Sequence, residues 1–405
     1  MLLAAAALFA LLAADLLALL ISLSVLDLLV FVFDVERLKK AEQRKSAVFW
    51  LATKLLATFT LVWVLAAFGS RGNLSLVAIP ERSALLIILA AALRLGLFPF
   101  NPRTLAPSTP SLALSTLTSS VSALPAFLLL GRAAAAAQSL HSAWLILALV
   151  PALFATAKWF FEKDDGAAPG FWYAALASFA FSAALAANSA AVLALGLVML
   201  AAGPALWLSE DRGDFRWLLA AAGFLFLSGL PFTASHSYLR LLSPQAAWLL
   251  FLFIPLWALL LAGWLRRALH PPLAEERAEQ RLRAVQLSGT ALLVLSLAWL
   301  GIGLAADPLG GSTFGLLSPL LILALTAAFF WAGRRKFYLR KGVSSRLQFL
   351  LSFAWFYLFT GNLLRSWTGL LRLIGRLLEG EAGILWALLF VALLLSLLGQ
   401  LAAVV

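Results

Sequence analysis

Three ionisable residues sit in stretches that otherwise offer only hydrocarbon. Asp27 lies in "LLALLISLSVLDLLVFVF", Lys54 in "AVFWLATKLLATFTLVWVLAAF" and Arg94 in "SALLIILAAALRLGLFPF". A charge inside an apolar span is costly and by default marks a functional site. One acid and two bases can neutralise one another, hold a proton, or tune one another's protonation. The same trio can also act as a static lock between helices, and both readings stand at this point. Asp15 falls at a turn between two apolar runs, where a capping or solvated role suffices.

Prolines and hydroxyls cluster next to Arg94. Pro99, Pro102, Pro107 and Pro110 follow it, then Thr109, Ser111, Ser115, Thr116, Thr118, Ser119, Ser120 and Ser122. A proline removes a backbone donor and frees a carbonyl, and in lipid such groups must be satisfied by protein or water. Residues 97–110 therefore belong at an aqueous boundary or along a wet interior. The hydroxyls suit close helix packing or a hydrated path. A second interruption, "LSGLPFTASHSYLRLLS" at 227–243, holds Gly229, Pro231 and Arg240. Two interrupted helices in corresponding halves point to a transporter built from repeats.

The elements that must position these residues are membrane spans. Of 405 residues, 63% are hydrophobic and 12% charged, against about 25% charged in a soluble domain. Apolar runs near the roughly 20 residues that a span requires recur along the chain. The expected fold is all-α, a polytopic transmembrane bundle of about 14 spans. The stretches are 2–14, 16–34, 46–69, 83–100, 109–131, 141–161, 169–188, 190–208, 215–235, 245–265, 285–305, 315–333, 346–364 and 383–404. The alternation of barrel strands is absent. Lysine and arginine favour loops after even-numbered spans by roughly three to one, which puts those loops and both termini in the cytoplasm. Asp27, Lys54 and Arg94 then share a depth, each roughly 9–12 Å from the cytoplasmic edge at about 1.5 Å per residue. For Arg94 this sets six residues between it and the end of its span.

Other chemistries are excluded. Without cysteine there is no thiol redox chemistry, Cys-ligated cluster or disulfide. His141, His236 and His270 are too few and scattered for a haem or metal cluster. The +12 net charge reflects basic cytoplasmic loops rather than nucleic-acid binding. The first residues lack a basic n-region and cleavage site, so they are expected to remain as a span. "RRALHPPLAEERAEQRLRA" at 266–284 reads as a cytoplasmic amphipathic loop, and "RSWTGLLRLIGRLLEGEA" at 365–382 as a helix in the interface plane.

Three of these stretches together resemble a known family, the antiporter-like membrane subunits of respiratory complex I, Mrp cation/proton antiporters and membrane-bound hydrogenases. "LRLGLFPFNPRTLAPSTPSLALSTL" is similar to the family's lysine-bearing broken helix, "K-x-G-x-F-P-F-H", and the "A-P-T-P-V-S-A-L-L-H" after it. "AADLLALLISLSVLDLLVFVF" resembles the preceding helix, and "AAAGFLFLSGLPFTASHSYLRLL" the second broken helix, "L-x-G-L-P-P-F-x-G-F-x-S-K". The resemblance covers roughly residues 1–265 and implies an N-terminally truncated core, helices four to thirteen, with residues 285–405 adding further spans.

The resemblance sets Asp27 on the family's glutamate and Arg94 on the lysine of the first broken helix. Thr116 and Ser122 stand where the family carries basic relay residues. Apolar "VMLAAGPALW" replaces the central lysine, and Arg240 lies one residue from the terminal one. These departures imply a degenerate proton path, with Asp27, Lys54, Arg94 and Arg240 as proton-path or ion-pair candidates. The implied role is an accessory, non-catalytic membrane subunit of a complex I-like or hydrogenase-like translocase in the bacterial plasma membrane. Other membrane subunits, quinone-binding and redox subunits would be partners, and the chain itself would carry no cofactor or metal. The alternative is an active proton or cation transporter subunit, Mrp-like or a membrane partner in inorganic-carbon uptake.

Overall fold

The computed structural model describes residues 2–37, 41–69, 74–97, 112–137, 144–162, 168–207, 216–230, 233, 235–236, 238, 247–269 and 314–334. The chain divides into two units, Met1–Phe337 and Tyr338–Val405, and all described residues belong to the first. They form α1 (Leu2–Leu12), α2 (Leu16–Arg37), α3 (Ala41–Phe68), α4 (Glu81–Arg94), α5 (Leu112–Ala136), α6 (Leu145–Phe161), α7 (Ala168–Leu185), α8 (Ser189–Trp207), α9 (Arg216–Leu227), α10 (Ala247–Ala268) and α11 (Phe314–Arg334). No strand occurs among the described residues. The one extended contact is an isolated bridge between Asp15 and Ser75.

Three stretches within these helices, Leu16–Phe33, Trp50–Phe68 and Ala168–Leu185, are long and apolar enough to cross a membrane by length and composition. Shorter apolar stretches include Leu2–Leu12, Ser120–Ala136, Leu145–Phe161 and Leu317–Gly333. The expected spans at 285–305, 346–364 and 383–404, the loop at 270–284 and the interfacial helix at 365–382 lie outside the described residues. α10 continues through Arg266 and Arg267 to Ala268, beyond the expected boundary at 265.

Sequential neighbours pack side by side from α1 to α4. α7 is the centre of the bundle, in contact with α4, α5, α6 and α8. Fifteen of its 18 residues are buried, with apolar side chains all round, so α7 is enclosed by protein. α2 and α3 instead leave Leu17, Ile21, Val25, Leu28, Phe59 and Trp63 exposed, as a lipid-facing surface would.

The loops sort to two ends. At one end the α1–α2 turn pairs with the α3–α4 connection, with Leu16 N–H donating to the Leu74 carbonyl at 2.8 Å and Leu76 N–H to Ala14 at 2.9 Å. Arg132, near the end of α5, donates to the Ala13 carbonyl of that turn at 2.7 Å. Asp15 caps α2 by accepting the Ala18 N–H at 2.7 Å. At the other end Arg266 donates to the Phe160 carbonyl (2.6 Å) and Arg267 to the Glu162 carbonyl (3.0 Å). These arginines satisfy the terminal carbonyls of α6, where the helix dipole favours cations. The C-terminal ends of α1 and α5 and the described part of the α3–α4 connection thus share one end, and the termini of α6 and α10 meet, as alternating spans require.

α10 is anchored by two consecutive residues. The Gly263 Cα faces the Trp159 indole of α6, whose Nε1 donates to the Leu260 carbonyl at 2.9 Å. Trp264 lies over Gly223 of α9, and its ring centroid is 5.4 Å from that of Trp172. Small residues let membrane helices approach closely. A Cβ at Gly263 would overlap Trp159 and displace its hydrogen bond. Gly263→Ala is expected to destabilise the detergent-solubilised protein by about 1–3 kcal/mol. A thermal unfolding midpoint equal to that of the parent would refute this.

Candidate functional site

The first interrupted helix ends earlier than the prolines suggest. Leu95 N–H donates to the Ala91 carbonyl (2.9 Å), Gly96 N–H to Leu93 (3.0 Å) and Leu97 N–H to Ala92 (3.1 Å), with Gly96 at φ 75°. This is a Schellman termination, in which a glycine takes the left-handed conformation just past the helix. The helix of the expected span at 83–100 thus stops at Arg94, its last residue, and residues 98–100 lie outside the described residues. The stop comes from Gly96, and Arg94 sits at a helix C-terminus, where a cation is favoured.

Asp27, Lys54 and Arg94 converge in space. Arg94 Nη2 lies 2.5 Å from Asp27 Oδ2, and Lys54 Nζ lies 2.8 Å from Asp27 Oδ1. Each carboxylate oxygen therefore faces its own cation. The residues are 4%, 2% and 5% exposed, so all three charges are withdrawn from solvent. α3 presents Trp50, Lys54 and Thr58 at i, i+4 and i+8, one face of a helix. The Lys54 ammonium sits 3.5 Å from the centroid of Trp50. Arg94 Nη1 donates to Thr58 Oγ1 (3.0 Å), and that hydroxyl donates to the Lys54 carbonyl (3.0 Å). Ala6 and Ala7 of α1 with Leu26, Val30 and Trp50 form an apolar wall beside the cluster. The arrangement can hold charge at fixed geometry and bind or release a proton within an apolar bundle.

At the second interruption the described groups are hydroxyls, an indole and an imidazole. α9 ends at Leu227, and Gly229 has φ 71°. Its freed backbone groups are met by side chains. Ser235 Oγ donates to the Phe226 carbonyl (2.6 Å) and accepts the Gly229 N–H (3.0 Å). Trp257 Nε1 donates to the Leu227 carbonyl (2.8 Å), and His236 Nδ1 lies 3.0 Å from the Gly229 carbonyl. Thr233 Oγ1 donates to Leu230 (2.7 Å). Tyr238 bonds Ser182 of α7 at 2.9 Å and stacks on Trp257.

Thr116 lies in α5 and Ser122 is half-buried on the same helix. Arg240 and Pro99–Pro110 lie outside the described residues. Among the α5 hydroxyls whose side chains are described, the buried one is Ser120, which bonds Tyr173 of α7 at 2.7 Å. Trp50, Thr58, His236 and the two Ser–Tyr pairs are site features that the sequence reading did not single out. Trp50 and Thr58 were findable, being one helical turn either side of Lys54. The Ser–Tyr pairs join residues 53 and 56 positions apart and left no local signal.

Comparison with protein-family models and with curated protein sequences finds no match. By structure the chain is similar to a chain in the structure of the Mrp complex from Dietzia sp. DQ12-45-1b, with a TM-score of 0.62 and 18% sequence identity. The likeness covers 99% of this chain and 51% of that chain, so this sequence spans about half the length of the protein it matches. At that identity the likeness establishes fold. The chain shares the helical fold of that chain, and its long apolar helices mark it as an integral membrane protein.

Proposed function

We propose that the chain is an ion-translocating membrane subunit of a larger hetero-oligomeric assembly, with the Asp27–Lys54–Arg94 cluster as its charge-handling site. The observation that carries this reading is the buried three-charge cluster at the lip of an interrupted helix. Intramembrane charges that pair with one another mark ion pathways and proton relays, and repeat-built transporters place such sites at broken helices. The likeness to a chain of a multi-subunit Mrp complex supports the fold and the expectation of partner membrane subunits. The loop-charge bias supports a plasma-membrane orientation with both termini in the cytoplasm.

The resemblance in sequence offers a second setting, an accessory subunit of a complex I-like or hydrogenase-like redox assembly. The missing relay bases favour it, since the apolar "VMLAAGPALW" stands where the family has a lysine. The two settings differ in company. Mild extraction of a tagged chain and mass spectrometry of its native-size complex should recover other membrane subunits. Quinone-reductase or hydrogenase subunits among them would establish the redox setting, and antiporter-type subunits alone would establish the Mrp-like one. A chain that migrates by itself would refute the assembly.

A second measurement tests the cluster. Asp27→Asn is expected to lower ion translocation per assembled complex by about tenfold. Unchanged translocation in both Asp27→Asn and Arg94→Ala would end any route through the pair. Loss of yield in both, with normal translocation per assembled complex, would assign the cluster to assembly. Removing one partner of a buried ion pair costs about 3–5 kcal/mol.

A further inference from the structure

Counting charge in the cluster leads to an assignment that residue-by-residue resemblance does not make. The resemblance sets the family's lysine at Arg94. A guanidinium stays protonated in proteins and cannot act as an exchangeable acid. Arg94 is also fixed at both nitrogens of its fork, by Asp27 Oδ2 and by Thr58 Oγ1. Asp27 is the only anion between two cations, and protonating it would leave two positive charges facing each other in a buried site. Lys54 is different. Its loss of a proton takes the cluster from one surplus positive charge to none.

The geometry also makes Lys54 the least constrained of the three. Its 2.8 Å approach to Asp27 Oδ1 is a charge–charge contact, and neither Nζ nor Oδ1 makes an aligned hydrogen bond among the described residues. The ammonium rests on the Trp50 face, where a cation is attracted by the ring quadrupole. Asp27 and Trp50 favour the charged amine. Burial and the neighbouring Arg94 favour the neutral one. Among the described side chains, Asp27 and Arg94 are the charged groups of the cluster beside Lys54. α1 (Leu2–Leu12) has none. The charges of α4 besides Arg94, Glu81 and Arg82, lie at its opposite end. α5 carries only Arg132, which binds Ala13 at that far end.

We propose that Lys54, rather than Arg94, is the proton-exchanging group of the cluster, with Asp27 and Arg94 as its fixed electrostatic frame. The inference rests on the ion-translocating reading above and deepens it. In the step, one N–H bond of the Lys54 ammonium breaks and its electron pair stays on nitrogen. A water molecule accepts the proton and leaves as hydronium, and the reverse step restores the ammonium. The exchangeable amine has thus moved one helix, from the position of Arg94 on α4 to α3, while keeping the same carboxylate partner.

Trp50 supplies a reporter independent of transport. In the intact complex, tryptophan emission is titrated with pH and the Trp50→Phe signal is subtracted. A pH-dependent Trp50 component is expected in the parent, and its absence in Lys54→Met and Lys54→Arg. A flat parent signal, or one that persists in Lys54→Met, overturns the proposal. Transport gives the second readout. Lys54→Arg keeps the charge but cannot release it, so assembly should survive while translocation falls by about tenfold or more. A purely structural lysine would be rescued by arginine, so full translocation in Lys54→Arg also overturns the proposal. If the parent complex translocates nothing, the functional reading fails, yet the Trp50 titration still decides proton exchange at Lys54. If the Lys54 variants do not assemble, the parent and Trp50→Phe titrations decide alone.

Discussion

A carboxylate held between two cations, out of reach of solvent, is the constraint around which α1–α4 are arranged. Each ion in isolation would be prohibitively costly in an apolar interior. Together they are tolerated only if the three helices keep Lys54 and Arg94 each within about 3 Å of Asp27, the reach of a charge-assisted contact. That demand fixes the rotation of α2 and α3 about their axes and the point at which α4 must stop. Thr58 and Trp50 then complete the shell from the same face of α3, the hydroxyl for the arginine and the ring for the lysine.

Stopping α4 is a backbone problem with a backbone solution. Gly96 and Gly229 are the two glycines at positive φ among the described residues, and each ends an interrupted helix. Both are followed by leucine and then, within three residues, by a Pro-Phe pair, in "GLFPF" and "GLPF". Positive φ costs glycine nothing sterically, so the same short motif can halt a helix inside a membrane twice. The carbonyls and amides exposed by the second halt are met by Ser235, Trp257 and His236 rather than by lipid. That is the condition under which non-helical backbone survives at membrane depth.

Much of this was legible in the sequence because membrane burial makes charge conspicuous. Asp27, Lys54 and Arg94 stood out against hydrocarbon on three consecutive apolar stretches. The helical character and the boundaries of α2, α6, α7 and α8 followed from hydropathy to within a few residues. The end of α4 was misread because four prolines drew attention away from Gly96. Glycine at a C-cap acts through one dihedral angle, and proline announces itself by composition. The pairs Ser120–Tyr173 and Ser182–Tyr238 were illegible for another reason. A serine in an apolar helix usually bonds its own backbone one turn back, as Ser178 does to Ala174 at 2.7 Å. Only the approach of a second helix reveals which serines do more.

The two interruptions share a backbone and differ in chemistry, and that asymmetry bears on mechanism. At the first, three ionisable groups meet at the end of α4. At the second, the described groups are hydroxyls, an indole and an imidazole whose Nδ1 faces a carbonyl. A proton or cation can therefore be held by charge at the first break, while the described groups of the second supply hydroxyl, indole and imidazole donors and acceptors. α7 lies between them, with Tyr173 bonded to Ser120 toward α5 and Ser182 bonded to Tyr238 at the second break. Neutral hydroxyls pass a proton only when water or a base completes the chain, because each must accept one proton before it gives another. A route across this bundle would then depend on water between the α7 pairs and on one exchangeable charge at its entrance. That charge is the lysine on α3.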